Sequence, residues 1–139
     1  MRVAFYAPLK PPDHPVPSGD RRMAKLIMRA ISLAGHEPFL ASNFRSFEGR
    51  GEVARQNAIA DAGTAAAQDL IRQYRAAPCS ARPEAWLTYH VYHKSPDWLG
   101  PAVSLALDIP YLVAEASHAP KQADGFWANG YVAARAAIA

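Results

Sequence analysis

The opening of the chain sets the strongest constraint on its fold. A short apolar run, Val3-Ala4-Phe5-Tyr6-Ala7, gives way to a proline-rich polar stretch from Pro8 to Asp20, which leads directly into a helical pattern at Arg21. The run alternates poorly, so it reads as a buried parallel strand. In α/β folds the carboxyl ends of strands and the N-termini of helices face one crevice, where ligands bind. Proline lowers the entropy cost of ordering the connecting loop. A loop this long between two clear elements is more often functional than idle.

The rest of the chain repeats that alternation. Residues 20–34 carry Met23, Leu26, Ile27, Ala30, Ile31 and Ala34 at helical spacing. Gly35 ends this helix, and Ser18 or Asp20 caps its start. Glu37 to Ser42 reads as a second strand, which Pro38 marks as an edge or a beginning. Asn43 to Gly51 is a loop carrying Arg45 and Arg50. Val53 to Ala76 reads as a long helix with Ala58, Ala62, Ala65, Ala66, Leu70 and Tyr74 on one face, closed by Pro78. Ala85 to Tyr89 is a third strand. Asp97 to Leu107 is a short helix, with Ser95 as cap and Pro96 in its first turn. Ile109 to Ala114 is a fourth strand, and Phe126 to Ile138 a last helix. This order predicts an α/β fold, a doubly wound, Rossmann-like parallel sheet of strand order 2-1-3-4. Its switch point lies between strands 1 and 3.

The 139 residues make one domain, residues 1–139. Half of them are hydrophobic, but many are alanine, which favours helix and buries little area. A net charge of +3 with interspersed signs gives no case for nucleic acid, and no RNA-binding or zinc-finger motif occurs. The single cysteine, Cys79, excludes an internal disulfide and fits a reducing, cytoplasmic setting. The opening is too short for a signal peptide, and no apolar run reaches bilayer length. Arg21, Arg22, Lys25 and Arg29 lie opposite the apolar side of the first helix and read as a solvated face. The last helical pattern stops without a cap or a following strand. It reads as part of a longer protein, the alternative being a terminal helix that frays.

Four polar clusters converge at the carboxyl edge of this sheet. Loop 1 supplies Lys10, Asp13, His14, Ser18, Gly19 and Asp20; strand 2 supplies Ser42, Asn43 and Arg45. Strand 3 supplies Tyr89, His90, Tyr92, His93, Lys94 and Asp97, and strand 4 supplies Glu115, Ser117, His118 and Lys121. All the histidines except His36 fall here. His90 and His93 have a spacing that can chelate on a helix. Here it lies in a strand-to-loop segment without a cysteine cluster, so no metal is expected. The plain alternative is that His90 bonds a loop backbone and His93 is solvated. Ser18-Gly19 before a helix is a weak phosphate-cradle signal, since neither a dinucleotide fingerprint nor a P-loop is present. Gly19 equally fits a positive φ or a close backbone approach. Glu115 and His118 could serve as base, orienter or binder of a sugar hydroxyl. No nucleophile elbow occurs, which argues against a serine hydrolase. Trp86, Trp98 and Trp127 read as core or docking residues, with Trp98 also a candidate to line a pocket.

Taken together, these pieces resemble the N-terminal domain of a GT-B fold glycosyltransferase of the retaining family-four type. The resemblance rests on the opening strand and on Pro17-Ser18-Gly19-Asp20 before helix 1. It also rests on Leu33-Ala34-Gly35-His36-Glu37, on Tyr89-His90-Val91-Tyr92-His93-Lys94, and on Asp108-Ile109-Pro110-Tyr111-Leu112-Val113-Ala114-Glu115. It covers nearly the whole chain. It implies an acceptor-binding domain, half of a two-domain enzyme, whose separate C-terminal domain binds a nucleotide-sugar. Catalysis, without metal or other cofactor, would occur in the cleft between them. The resemblance implies that Ser18 and Gly19 approach the donor phosphates, and that His118 contacts the donor sugar as the catalytic residue. Lys10, Asp13, His14, His90, His93, Lys94 and Glu115 would line the acceptor side. It also implies contact with the inner face of a membrane for some members. Two other readings stay open: a stand-alone α/β module for a nucleotide or small anion, and an interaction domain that dimerises through its exposed sheet edge.

Overall fold

Four apolar runs pair in parallel in the computed structural model, which describes residues 1–139. They are β1 (Arg2–Tyr6), β2 (Glu37–Leu40), β3 (Ala85–Val91) and β4 (Tyr111–Ala116), in the order β2-β1-β3-β4. The helices are α1 (Gly19–Leu33), α2 (Val53–Ala76), α3 (Gly100–Leu107) and α4 (Ala128–Ile138). The fold is therefore α/β, with the all-parallel sheet and strand order that the alternation predicts. Pro38 sits in β2, an edge strand, where its missing N–H costs the ladder least.

Strand alternation divides the core between the two faces of the sheet. Ala4, Tyr6 and Trp86 meet Ala67 and Ile71 of α2 and Leu99 and Val103 at α3. Phe5, Ala7 and Tyr89 point the other way and meet Ala24 of α1. Val91 packs on Ala134 and Ala137 of α4, beside Tyr111 and Val113. Tyr111 pairs with Trp86 in register, so α4 shares the face of α2 and α3.

The local signals at α1 act as the sequence suggests. The Ser18 hydroxyl accepts from the Arg21 N–H at 3.1 Å, so Ser18 rather than Asp20 is the cap. Gly35 follows with φ +85°, the left-handed turn that ends a helix.

Two expectations need correction. The buried side of α2 is Gly63, Ala67 and Ile71, flanked by Ala66, Leu70 and Tyr74, while Ala58, Ala62 and Ala65 are exposed. The direction is set by Gly63: a Cβ there would lie 2.6 Å from Trp98 Cβ. A stripe of alanines is too small to orient a helix against that close fit. The short helix begins at Gly100, not at Asp97, and its cap is not Ser95. The cap position is Leu99, and Asp97 two residues ahead accepts from Leu99 N–H at 2.9 Å and Gly100 N–H at 2.8 Å.

Asp97 also anchors a buried polar chain. The Thr88 hydroxyl donates to it at 2.5 Å and Tyr111 at 2.9 Å, while Trp86 Nε1 donates to Thr88 at 2.8 Å. Burial pushes the Asp97 carboxyl up, against the opposing pull of these donors. The Tyr111 hydroxyl is raised too, by burial and by Asp97.

The long loop after β2 is tied down along its length. Phe44 O accepts from Tyr6 Oη at 3.0 Å, and Ser46 Oγ donates to Pro96 O at 2.6 Å. The Glu48 carboxylate accepts from the N–H groups of Arg50 and Gly51 at 2.7 Å, and of Glu52 at 3.2 Å. Trp127 Nε1 donates to Glu48 O at 3.2 Å. No helix is long and apolar enough to cross a membrane.

Candidate functional site

The first turn of α1 delivers Asp20 to the crevice between β1 and β3, the switch point of the sheet. There Asp20 Oδ1 lies 2.9 Å from His90 Nδ1. An ionised carboxylate only accepts, so the facing ring nitrogen carries the hydrogen. The other ring nitrogen, His90 Nε2, lies 3.9 Å from Glu115 Oε1 on β4. The group Asp20–His90–Glu115 thus bridges α1, β3 and β4.

The backbone beneath it is unusual. His90 and Glu115 hold φ of 65° and 63°, the left-handed region, though neither is glycine. Such residues cost about 1–2 kcal/mol each and cluster where a function needs them. At His90 the turn reverses the alternation, so that Tyr89 faces α1 while Val91, two residues on, faces α4. It also presents the imidazole at the rim, with ring centroids 5.7 Å from Tyr89 and 5.1 Å from Tyr92. Burial, then the Glu115 and Asp20 charges, pushes the Tyr89 hydroxyl up to about 12. Burial and Asp20 raise Tyr92 as well. Both phenols stay neutral donors near neutral pH.

A groove of about 270 Å³ runs along the start of α1, lined by Pro17, Ser18, Arg21, Arg22 and Lys25. Gly19 has neither a positive φ nor any atom within 4 Å of a built Cβ, so its open side leaves the helix N-terminus accessible. Ser18 Oγ is engaged as the cap.

The other candidate residues separate into distinct surroundings. Lys10 is half-buried and Asp13 exposed in loop 1, and His14 Nδ1 accepts from Val16 N–H at 3.1 Å within that loop. His93 is not solvated: it packs edge-on to Trp127 at 5.7 Å, with its Nδ1 buried and unpartnered. Burial and Lys94 lower its pKa. Lys94 stands over the Trp127 ring at 4.3 Å. His93 and Lys94 therefore belong to the joint with α4, where a Cβ on Gly130 would lie 2.0 Å from His93 O. His90 bonds a carboxylate rather than a loop backbone. His118 is exposed and stacks on Tyr131, whose hydroxyl lies 2.9 Å from its Nε2. Trp98 lines only a cavity of about 10 Å³.

Sequence reasoning placed Asp20, His90 and Glu115 at one edge but not as one group. It overlooked Glu48, whose signal was a carboxylate just ahead of Gly49 and Gly51. The largest cavity, about 520 Å³, lies at the opposite, amino edge near Arg2, Glu37, Glu84 and Arg82. Arg2 there pairs with Glu37, and Arg82 donates to Ala77 O and Arg75 O, so its charges are spent on the fold.

Fold and site together define a doubly wound parallel α/β domain with a carboxylate–imidazole group at its switch point. No protein-family model matches the chain, and no curated protein or solved structure matches it either.

Proposed function

We propose that this chain is the acceptor-side domain of a GT-B glycosyltransferase, working in the cytoplasm with a separate donor-binding domain. The observation that carries this reading is the Asp20–His90–Glu115 group at the switch point. Asp20 orients the imidazole, so that the Nε2 edge of His90 and the Glu115 carboxylate present hydrogen-bonding groups to the hydroxyls of a sugar acceptor. Tyr89 and Tyr92 frame the group as neutral walls. The open N-terminus of α1 at Gly19, with Arg21, Arg22 and Lys25, suits the phosphates of a nucleotide-sugar. His118 at the end of β4 would meet the donor sugar across the cleft. Transfer needs a donor-binding domain beside the residues described.

The basic groove also favours a second reading, a stand-alone module for a small anion. Ligand-observed NMR with methyl glycosides, nucleotide-sugars and inorganic phosphate separates the two. The transferase reading expects glycoside signals to broaden with the wild-type chain and to recover with His90→Ala and with Glu115→Gln. Binding of phosphate or nucleotide alone, unchanged by both substitutions, overturns it.

A further inference from the structure

Helix α4 is held by small residues and one crowded joint. Its buried residues are Gly130, Tyr131, Ala134 and Ala137, and the two alanines pack on Val91. Alanine buries little area, so this apolar contact is thin. The rest of the attachment lies at the helix start. There Trp127 Nε1 bonds Glu48 O, Gln56 Nε2 bonds Phe126 O, and Asn129 bonds Asn57. Gly130 approaches His93 O so closely that no side chain could enter between them.

His93 sits in this joint. Its ring stands nearly perpendicular to those of Tyr92 and Trp127, with centroids 5.4 and 5.7 Å away. Nδ1 is sealed from solvent and has no hydrogen-bond partner. A neutral ring can leave a lone pair there. The imidazolium cannot, because both of its nitrogens carry hydrogen, and Nδ1 becomes a buried donor without an acceptor. Little around the ring offsets the added charge. On its own segment Lys94 is a cation and Tyr92 a neutral phenol, and burial and Lys94 both lower the His93 pKa. The Trp127 face is already taken by Lys94 Nζ, 4.3 Å from the ring centre. α4 brings Asn129 and Gly130, and α2 brings Gln56 and Ile59, none of them charged. Glu48 lines the same cavity, but its carboxylate accepts from the N–H groups of Arg50, Gly51 and Glu52, with Arg55 near it. The cavity is about 10 Å³, room for no more than one water and none for a counter-ion.

We propose that His93 is an acid-operated release for α4: the helix is docked while the imidazole is neutral, and a proton on the ring frees it from β3 and from the loop before α2. Release bares Val91 and Val113 and parts Tyr131 from His118. The docked form binds the proton less well than the released form. Docking is therefore at full strength above about pH 6.5 and weakens as pH falls below that value. Glu48 acts lower, below the ordinary carboxylate value, and Asp97 acts in the opposite sense, so neither reproduces this window.

The test is amide hydrogen exchange of the 139-residue chain, read by NMR between about pH 7 and pH 5 and corrected for intrinsic exchange. Opening of α4 should rise by up to about tenfold per pH unit below about pH 6.5, the limit for one proton, while the amides of β1 keep their protection. The His93 ring should titrate below the ordinary histidine value in the same samples. His93→Phe keeps an aromatic ring at the joint and takes no proton, so its α4 should show no such rise. Lys94→Met removes the neighbouring charge and should shrink the rise, and His118→Gln should behave as wild type. Equal opening of α4 across the range overturns the proposal, as does a rise that His93→Phe retains. Loss of β1 protection in step with α4 also overturns it, since the whole fold then opens. Should His93→Phe fail to fold, the wild-type ring decides: titration at or above about 6.5 overturns the proposal, and titration below it, in step with α4 opening, upholds it.

Discussion

His90 stands opposite Glu115, between the Tyr89–Ala114 and Val91–Ala116 pairs, and both residues hold left-handed backbone. Side-by-side strain of this kind trades stability for placement of two side chains. Asparagine tolerates the left-handed region better than glutamate does. Glu115→Asn should therefore raise stability by about 0.5–1 kcal/mol in urea unfolding. Under the transferase reading the same variant loses glycoside binding. A loss of stability instead would show that the Glu115 backbone is not strained.

Two glycines should respond to alanine in opposite ways. At Gly130 a Cβ would meet His93 O at 2.0 Å, so Gly130→Ala must push α4 away. The expected cost is about 2–4 kcal/mol, despite the better helix propensity of alanine. At Gly19 a Cβ meets open space. Gly19→Ala should leave the melting temperature unchanged or slightly higher, while crowding any anion at the N-terminus of α1. Thermal unfolding of the two variants side by side checks both claims.

Glu48 should govern part of the acid limb of the stability curve. Burial alone would raise its carboxyl, but the N–H groups of Arg50, Gly51 and Glu52, with the charge of Arg55, bring it below its ordinary value. A depressed folded value means stability that is present at neutral pH and lost as pH falls through that value. Glu48→Gln should cost about 1–2 kcal/mol at neutral pH. The gap to wild type should close in acid. A gap that stays constant from neutral pH to about pH 3 would contradict the assignment.

Asp97 acts with the opposite sign. Burial, outweighing its donors, raises its carboxyl above the ordinary value. The unfolded chain therefore ionises first, and stability falls as pH rises from the ordinary carboxylate range through the raised value. Asp97→Asn removes that slope and leaves the Thr88 and Tyr111 hydroxyls short of an acceptor. The variant should be less stable by about 2–4 kcal/mol in acid, with a smaller deficit as pH rises. Urea unfolding at a series of pH values reads the change.

The topology was legible because several boundaries had a chemical marker. Ser18 and Gly35 bracket α1, Pro38 lies on the edge strand, and Pro78 follows α2. The facing of α2 was not, because alanines give a weak direction and the deciding residue, Gly63, has no side chain to signal it. The start of α3 was hidden for a related reason. Asp97 looked like the first helical residue when it lies ahead of the cap, Leu99, and accepts from the first N–H groups of the turn. At the site, residue types and edge were readable, but the pairing of Asp20 with His90 was not. It depends on left-handed backbone at a histidine and a glutamate, which carry no glycine to announce it.

The joint between α4 and the loop before α2 bears on the order in which the chain can fold. Trp127 Nε1 bonds Glu48 O, Gln56 Nε2 bonds Phe126 O, and Asn129 bonds Asn57, spans of 79, 70 and 72 residues. Contacts so distant in sequence close late, after the loop entropy between them has been overcome. During synthesis β1, α1 and β2 can form a local unit as soon as they emerge. The last bonds of the segment around Glu48 must wait for Phe126 to Gly130. Until then it is held by its bonds to Tyr6, Lys94 and Pro96, and α4 acts as the latch that completes its closure.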